Sequence, residues 1–484
     1  MISDQLRQEL FDLVGADGVY THPAQLRAYE CDGLTGHRVV PGLVVLPTTT
    51  GQVSAVVAAC ARDGVPFVAR GAGTGLSGGA LPVADGVLIG LARMRRILAI
   101  DVDNQRMVVE PGVTNLEISN IVTRHNLYYA PDPSSQVVCT IGGNVAENSG
   151  GAHCLKYGFT TNHVLALEVV LPDGSVAELG GPGADPDGYD LRGVLIGSEG
   201  TLGIATKITV RLLRKPEAVH TLVAQFASPE EAGDAVTGIV AAGIIPAAVE
   251  IMDALAIEAC EKATHAGYPL DAGAVLIVEV DGPAADCDES FEQVQEVCRQ
   301  VGTRNIRVAG DAAERALIWK GRKAAFAAVG RISPDFFVQD GVIPRTALGE
   351  ALARIAKLSA EDGLRVANVF HAGDGNLHPL VLYDMAKEGE AERGERLATR
   401  IAEMCVELGG SITGEHGVGT DKACSMPKMF SEDDLAVMHR VRAAFDPAGI
   451  CNPGKIFPTP RLCGEKIGPY RQHPLEAAGV AERM

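Results

Sequence analysis

Two histidines seven residues apart, His371 and His378, bracket the polar, glycine-rich stretch AGDGNL directly after the apolar run VANVF. The chain has 12 histidines in 484 residues, and a turn requires none. Neutral imidazoles and a carboxylate are the usual ligands of a borderline divalent ion, and a catalytic site leaves a position open for substrate. VANVF and PLVLY can pair as strands across the turn, which brings both rings to one end of a hairpin. Asp374 lies in the turn itself and can be taken up by backbone hydrogen bonds. Two readings therefore stay open, an incomplete metal site or two histidines that cap strands. Gly414-Glu415-His416-Gly417 offers a carboxylate beside another histidine, and its glycines permit the sharp bend that would let adjacent residues converge. Trp319-Lys320-Gly321-Arg322-Lys323, on a predicted helix, is either a cationic fork for a carboxylate or a solvated basic patch.

A second kind of chemistry is suggested by glycine-rich loops. RGAGTGLSGG (70–79) follows a strand, where backbone N–H groups can cradle a phosphate. It is not a Rossmann fingerprint, because position 76 is leucine and no amphipathic helix follows. PDPSSQ (131–136), IGGNVAENSGG (141–151) and GSEGTLGI (197–204) are further runs of the same kind, and together they point to a long cofactor.

The elements that must position these groups fall into two textures. Residues 43–69 read as a βαβ unit, with LVVLP and VPFVA as strands and a helix that opens on a Thr49–Gln52 capping box and closes at Asp63-Gly64. Residues 87–110 read as strands turning at Asp103-Asn104. Another helix opens at Thr114, 131–151 reads as loop, and ALEVVLPDGSVAEL is a hairpin turning on Pro172-Asp173-Gly174. From His220 strands and helices alternate, which suits an antiparallel sheet with helices on one face. The expected domains are 1–217 with an N-terminal helix, an α+β domain over 218–405, and a segment 406–484 that returns to the first domain and completes the active site. The fold class is α+β.

Composition excludes several functions. With 42 Lys+Arg against 61 Asp+Glu, the net charge of −19 repels nucleic acid and anionic lipid. The apolar stretch 239–249 is far short of the ~20 residues of a membrane span. The start of the chain reads as an amphipathic helix rather than a signal peptide, so the expected location is cytoplasmic, with reduced thiols. The 11 cysteines include no CxxC pair, so no iron–sulfur or zinc cluster is expected.

RGAGTGLSGGAL, YYAPDPSSQ, IGGNVAENSGG, LKYG, GSEGTLG, VFHAGDGNLHP, GEHGVG and NPGK, in that order, resemble the FAD-linked oxidases that share the flavin domain of vanillyl-alcohol oxidase and p-cresol methylhydroxylase. Within that family they are most like the flavin-bearing subunits of bacterial glycolate oxidases. The resemblance implies a PCMH-type FAD-binding domain and a ferredoxin-like cap domain. It implies that Arg70, Gly71, Ala72, Gly73, Thr74, Gly75 and Ser77 form the FAD pyrophosphate loop, and that Pro131, Asp132, Gly142, Gly143, Asn148, Gly200, Gly203, Ile204 and Asn452 line the cofactor. Some relatives tether FAD through a histidine in the first loop; Thr74 in its place implies noncovalent FAD.

The same resemblance assigns His371, His378 and Glu415 as ligands of a divalent metal, Zn or Mn. It gives Arg322 the substrate carboxylate and leaves His416 to contact substrate and act as base. Relatives that oxidise a larger diacid carry asparagine two residues after the second histidine; Leu380 here implies a small substrate. The implied activity is FAD-dependent oxidation of glycolate to glyoxylate, and of D-lactate to pyruvate, by hydride transfer to flavin N5. An iron–sulfur subunit and a second FAD-domain subunit are the implied partners, with quinone as eventual acceptor and peripheral attachment to the inner membrane through them. The alternatives are a stand-alone D-2-hydroxyacid dehydrogenase, a noncatalytic flavin-domain subunit and a zinc hydrolase.

Overall fold

A computed structural model describes residues 2–183 and 188–458. The described residues fall into two compact units, one within 2–150, 159–214 and 415–458, the other of Gly151–Gly158 and Lys215–Gly414. The part of the expected 406–484 segment beyond residue 458 lies outside the described residues.

In the first unit, Leu43–Val45 and Phe67–Arg70 both run parallel to Val87–Gly90, and Val19–Tyr20 adds an antiparallel edge to Leu43–Val45. Helix Thr50–Asp63 makes the crossover, burying Val53, Val56, Val57 and Cys60 against the sheet. Thr49 caps it by accepting from the Gln52 N–H at 3.2 Å, and Gly64 closes it in the left-handed region at φ 64°. Gln52 takes the N–H of Thr48 at 2.8 Å, one residue before the cap, so only half of the expected capping box forms.

An antiparallel sheet follows, in the order Ile97–Asp101, Arg106–Val109, Ile204–Arg211, Val164–Val170 and Val176–Gly180. The stretch expected as a loop over 131–151 contains a helix, Ile141–Glu147. Its glycines serve close approach: a Cβ on Gly142 would lie 2.6 Å from the Pro111 ring. A glycine-rich helix start therefore reads like a loop from sequence.

The second unit is built on an antiparallel sheet of eight strands. The order is Asn305–Val308, Ala218–Phe226, Ala274–Gly282, Ala248–Asp253, Val366–His371, Asn376–Tyr383 and Asp335–Val338, with Gly341–Val342 also paired to Asn376–Tyr383. Helices cover both faces rather than one. Leu276 and Val278 pack with helices Pro229–Ala241, Ala284–Val301, Leu348–Asp362 and Glu390–Glu407. Val275 and Ile277 of the same strand pack with Ala254–Thr264, Ala312–Lys323 and Ala325–Val329. A central strand such as Ala274–Gly282, with apolar residues on both faces, has two faces to remove from water, and that overrides a one-sided arrangement.

Segment Gly151–Gly158 is fastened to this sheet through Glu279. The Glu279 carboxylate takes Trp319 Nε1–H at 2.6 Å, Thr221 Oγ1–H at 2.7 Å and Arg315 Nε–H at 2.8 Å, and pairs with His153 Nε2 at 3.2 Å. Burial by itself raises the Glu279 pKa, but the bonds from His153 and Arg315 outweigh it and hold the carboxyl well below the usual range. A depressed carboxylate contributes stability above its unfolded pKa and loses it as the pH falls. Glu279→Gln is expected to cost about 3 kcal/mol at pH 7, a deficit that narrows below about pH 4.5, as measured by urea unfolding at the two pH values.

Among the described residues nine cysteines are free thiols.

Candidate active site

His371 and His378 stand on paired strands, His371 at the end of Val366–His371 and His378 within Asn376–Tyr383, opposite Val369. Both rings point to the same face as Val369, Ala367 and Leu380, because residues two apart on a strand share a side. The rings meet edge to face with centroids 5.0 Å apart, and both residues are buried. The turn between them is tight. Gly375 sits at φ 82°, and a Cβ there would lie 2.2 Å from the Ile343 carbonyl oxygen.

Each imidazole has its Nδ1 engaged. His371 Nδ1 lies 2.7 Å from Glu250 Oε1, and His378 Nδ1 lies 3.2 Å from the Gln339 carbonyl. A ring whose Nδ1–H is bonded to a carboxylate or carbonyl presents its Nε2 lone pair, as metal-ligating histidines do. Glu250 was not singled out from sequence, although a glutamate inside the buried strand AAVEI was the available signal. It is fully buried and directly opposite His371 in the sheet, and its Oε2 lies 2.5 Å from Arg322 Nη2. Arg322, on helix Ala312–Lys323, is also buried, and its Nε–H has no hydrogen-bond partner among the described residues.

Asp340 is a second carboxylate that sequence reading passed over. Buried in the turn before Gly341–Val342, it accepts from Thr413 Oγ1 at 2.6 Å and from the Gly414 N–H at 3.0 Å, and lies 4.0 Å from His378 Nδ1. Glu415 is the residue that follows. Within the first unit its carboxylate lies 2.7 Å from where a Cβ on Gly150 would stand, and 3.8 Å from His416 Nε2. The residues after His416 are held by Glu199, which accepts the N–H groups of Val418 and Gly419, each at 2.7 Å. Complete burial raises the Glu199 pKa despite these two bonds.

The first unit gathers the glycine loops. Gly71 abuts Thr140, where a Cβ would fall 2.3 Å from Oγ1, so loop 70–77 and the start of helix Ile141–Glu147 lie side by side. Between Gly71 and Ser77 no backbone N–H donates to a protein acceptor among the described residues. The buried Ser77 Oγ, Thr140 Oγ1 and Asn144 Nδ2 likewise lack partners. Buried polar groups without partners are uncommon in folded proteins, and a cluster of them lining a glycine cradle fits a phosphate-bearing ligand.

Other residues expected around the cofactor have identifiable structural work. Arg70 donates to the Cys31 carbonyl at 2.7 Å and lies over the Tyr29 ring. Pro131 accepts from Asn115 at 3.0 Å. Asn148 ends its helix at φ 52° and accepts from the Thr161 N–H. Gly200 and Gly203 take positive φ in the turn before the strand begun by Ile204, whose side chain is in the core. Asn452 donates to the carbonyls of Gly79 at 2.9 Å and Glu199 at 2.6 Å, so it fastens two of the glycine loops. Asp132, Ala72, Thr74, Gly75 and Gly143 are half-buried beside them.

The fold is that of a class of flavin-carrying oxidases. Substrate-bound p-cresol methylhydroxylase superposes with a TM-score of 0.80 at 19% identity, covering 94% of this chain and 96% of that one. The 4-ethylphenol oxidase from Gulosibacter chungangensis gives 0.77 at 20%, covering 94% and 98%. Family models for an FAD binding domain and for the FAD linked oxidases, C-terminal domain, match residues 41–180 and 215–456.

The chain belongs to the FAD-linked oxidases. It is 54% identical to glycolate oxidase subunit GlcD of Escherichia coli strain K12 across 90% of this chain and 88% of that protein. It is 37% identical to GlcD of Bacillus subtilis across 94% and 97%, and 33% identical to a D-lactate dehydrogenase of Anaerostipes hadrus across 86% and 89%.

Proposed function

We propose that this chain oxidises glycolate to glyoxylate, and D-lactate to pyruvate, as the FAD-bearing catalytic subunit of a larger oxidase. The 54% identity to a glycolate oxidase subunit supports the first substrate and the 33% identity to a D-lactate dehydrogenase the second. The observation that carries the reading is the buried Arg322, with an unpartnered Nε–H, held by the same carboxylate that orients His371. A guanidinium so placed suits the carboxylate of a 2-hydroxy acid.

The loops around Gly71–Ser77 and Thr140–Asn144 would hold FAD noncovalently, and FAD so bound would supply a two-electron acceptor for the Cα hydride of the substrate, through its N5. His371, His378 and Glu415 would hold a divalent ion, which would supply Lewis acidity toward the substrate hydroxyl. Zn and Mn both suit this donor set. Arg322 binds and orients the substrate carboxylate. His416 takes the hydroxyl proton at an imidazole nitrogen as the carbonyl forms, so that one proton and one hydride leave the acid together. Leu380, two residues beyond His378 on the same face, is fully buried among apolar side chains; its apolar surface supports a small substrate over a diacid.

The chain has no cysteine spacing for a redox cluster of its own, so the electrons pass to an iron–sulfur subunit, with a second flavin-domain subunit in the complex and quinone beyond. No described helix is long and apolar enough to cross a membrane. Attachment to the inner membrane from the cytoplasmic side therefore runs through the partners.

The test is anaerobic. After FAD reconstitution the protein shows flavin bands near ~450 nm, and a panel of 2-hydroxy acids is added at defined metal loading. Bleaching by glycolate and D-lactate but not by 2-hydroxyglutarate is expected. Absence of flavin bands would leave a metal hydrolase in its place, and a bound flavin that neither acid reduces would leave a noncatalytic subunit.

A further inference from the structure

We infer that Glu250 is a positioning residue that couples the metal-ligating and carboxylate-binding halves of the site. The inference rests on the reading above, in which His371 holds the metal and Arg322 the substrate carboxylate. Glu250 lies opposite His371 on the neighbouring strand and is fully buried, so it has no water to solvate its charge. Its two oxygens are divided between two tasks. Oε1 faces His371 Nδ1 at 2.7 Å, and Oε2 faces Arg322 Nη2 at 2.5 Å.

The first contact keeps the proton on Nδ1, directs the Nε2 lone pair away from the strand and raises its basicity. The second is a close ion pair without hydrogen-bond geometry, which holds the guanidinium beside the carboxylate and leaves its Nε–H and Nη2–H groups for a ligand. One rigid carboxylate thus determines both the aim of a metal ligand and the aim of the anion clamp. A displacement at either partner is passed to the other through a group less than one residue long. If Glu250 only neutralised the buried Arg322 charge, any carboxylate nearby would serve equally.

Glu250→Asp and Glu250→Gln, in the full-length protein with FAD bound, separate these cases. Glu250→Asp keeps the charge but draws the carboxylate back by one methylene. It is expected to weaken Mn²⁺ binding by about tenfold to a hundredfold, by metal titration, and to raise the KM for glycolate in the same variant. Glu250→Gln keeps an oxygen for His371 but turns an amide toward Arg322. It is expected to raise KM by a larger factor than it weakens Mn²⁺ binding. Arg322→Lys, which takes away the planar partner of Glu250 Oε2, is expected to raise KM and also to weaken Mn²⁺ binding, by a smaller factor than Glu250→Asp.

Parent-like Mn²⁺ affinity in whichever Glu250 variants fold with bound FAD overturns the coupling and leaves the metal site standing. So does a Glu250→Asp protein that loses Mn²⁺ affinity at unchanged KM. A parent protein that binds no Mn²⁺ overturns the metal-site reading, and the coupling with it.

Discussion

His378→Ala is expected to lower the rate of flavin reduction by glycolate on the order of a thousandfold, with the flavin still bound. In the proposed mechanism His378 is one of three metal ligands; Lewis-acid polarisation of the hydroxyl would lower the barrier by several kcal/mol, and loss of the ligand would remove most of that effect. His378 is buried beneath the edge of the Phe326 ring, with its Nδ1 on the Gln339 carbonyl, so little else is available to replace its Nε2. The flavin loops belong to a different unit of the fold, so the visible spectrum after reconstitution should match the parent. Rapid-mixing absorbance under anaerobic conditions, paired with metal content, checks both halves. Glu415→Ala should lose metal in parallel, and parent-like reduction rates in both variants would remove the metal from the mechanism.

Gly375→Ala is expected to damage stability and the site together. The residue sits at φ 82°, which costs an L-amino acid about 1–2 kcal/mol, and its new Cβ would have to occupy a point 2.2 Å from the Ile343 carbonyl oxygen. That oxygen is backbone and cannot rotate aside. Relief requires the turn to move away from Ile343, which breaks the bond from the Ile343 N–H to the Gly375 carbonyl, 3.0 Å in the parent. Because the turn joins the strands that carry His371 and His378, the distance between the rings changes with it. A fall in Tm of about 5 °C or more, with weaker Mn²⁺ binding, is the expected result by thermal melt and metal titration. A variant that melts with the parent would mean that the turn relaxes at no cost.

The local elements were mostly legible. Helix Thr50–Asp63, the hairpin over 164–180, helix Pro229–Ala241 and the strands flanking AGDGNL each combine a hydrophobic period with a cap or turn residue, and both signals lie within one short window. Ile141–Glu147 reads as loop because Gly142 and Gly143 are poor helix formers, and the contact that calls for Gly142, with Pro111, is distant in sequence. The two-sided cover of the large sheet was missed for a related reason. A continuous apolar strand states that it is buried without stating by what.

The chemistry divides in the same way. The glycine loops and the histidine pair are visible because several uncommon residues occur together in a few positions, and their order along the chain is that of the FAD-linked oxidase family. Glu250 and Asp340 are single acids in apolar or turn segments; a charge inside the apolar run AAVEI marks Glu250 as unusual, but nothing within either window says what the acid meets. Glu250 meets His371 across 121 residues of chain, and Asp340 meets Thr413 across 73. Residue type and near spacing by themselves pointed to an α+β fold, a long cofactor and a set of candidate residues, while FAD and the roles of those residues followed from the family resemblance. The tertiary structure decided which carboxylate faces which imidazole, because the register between non-consecutive strands is set by packing of the whole sheet, and no local pattern encodes it.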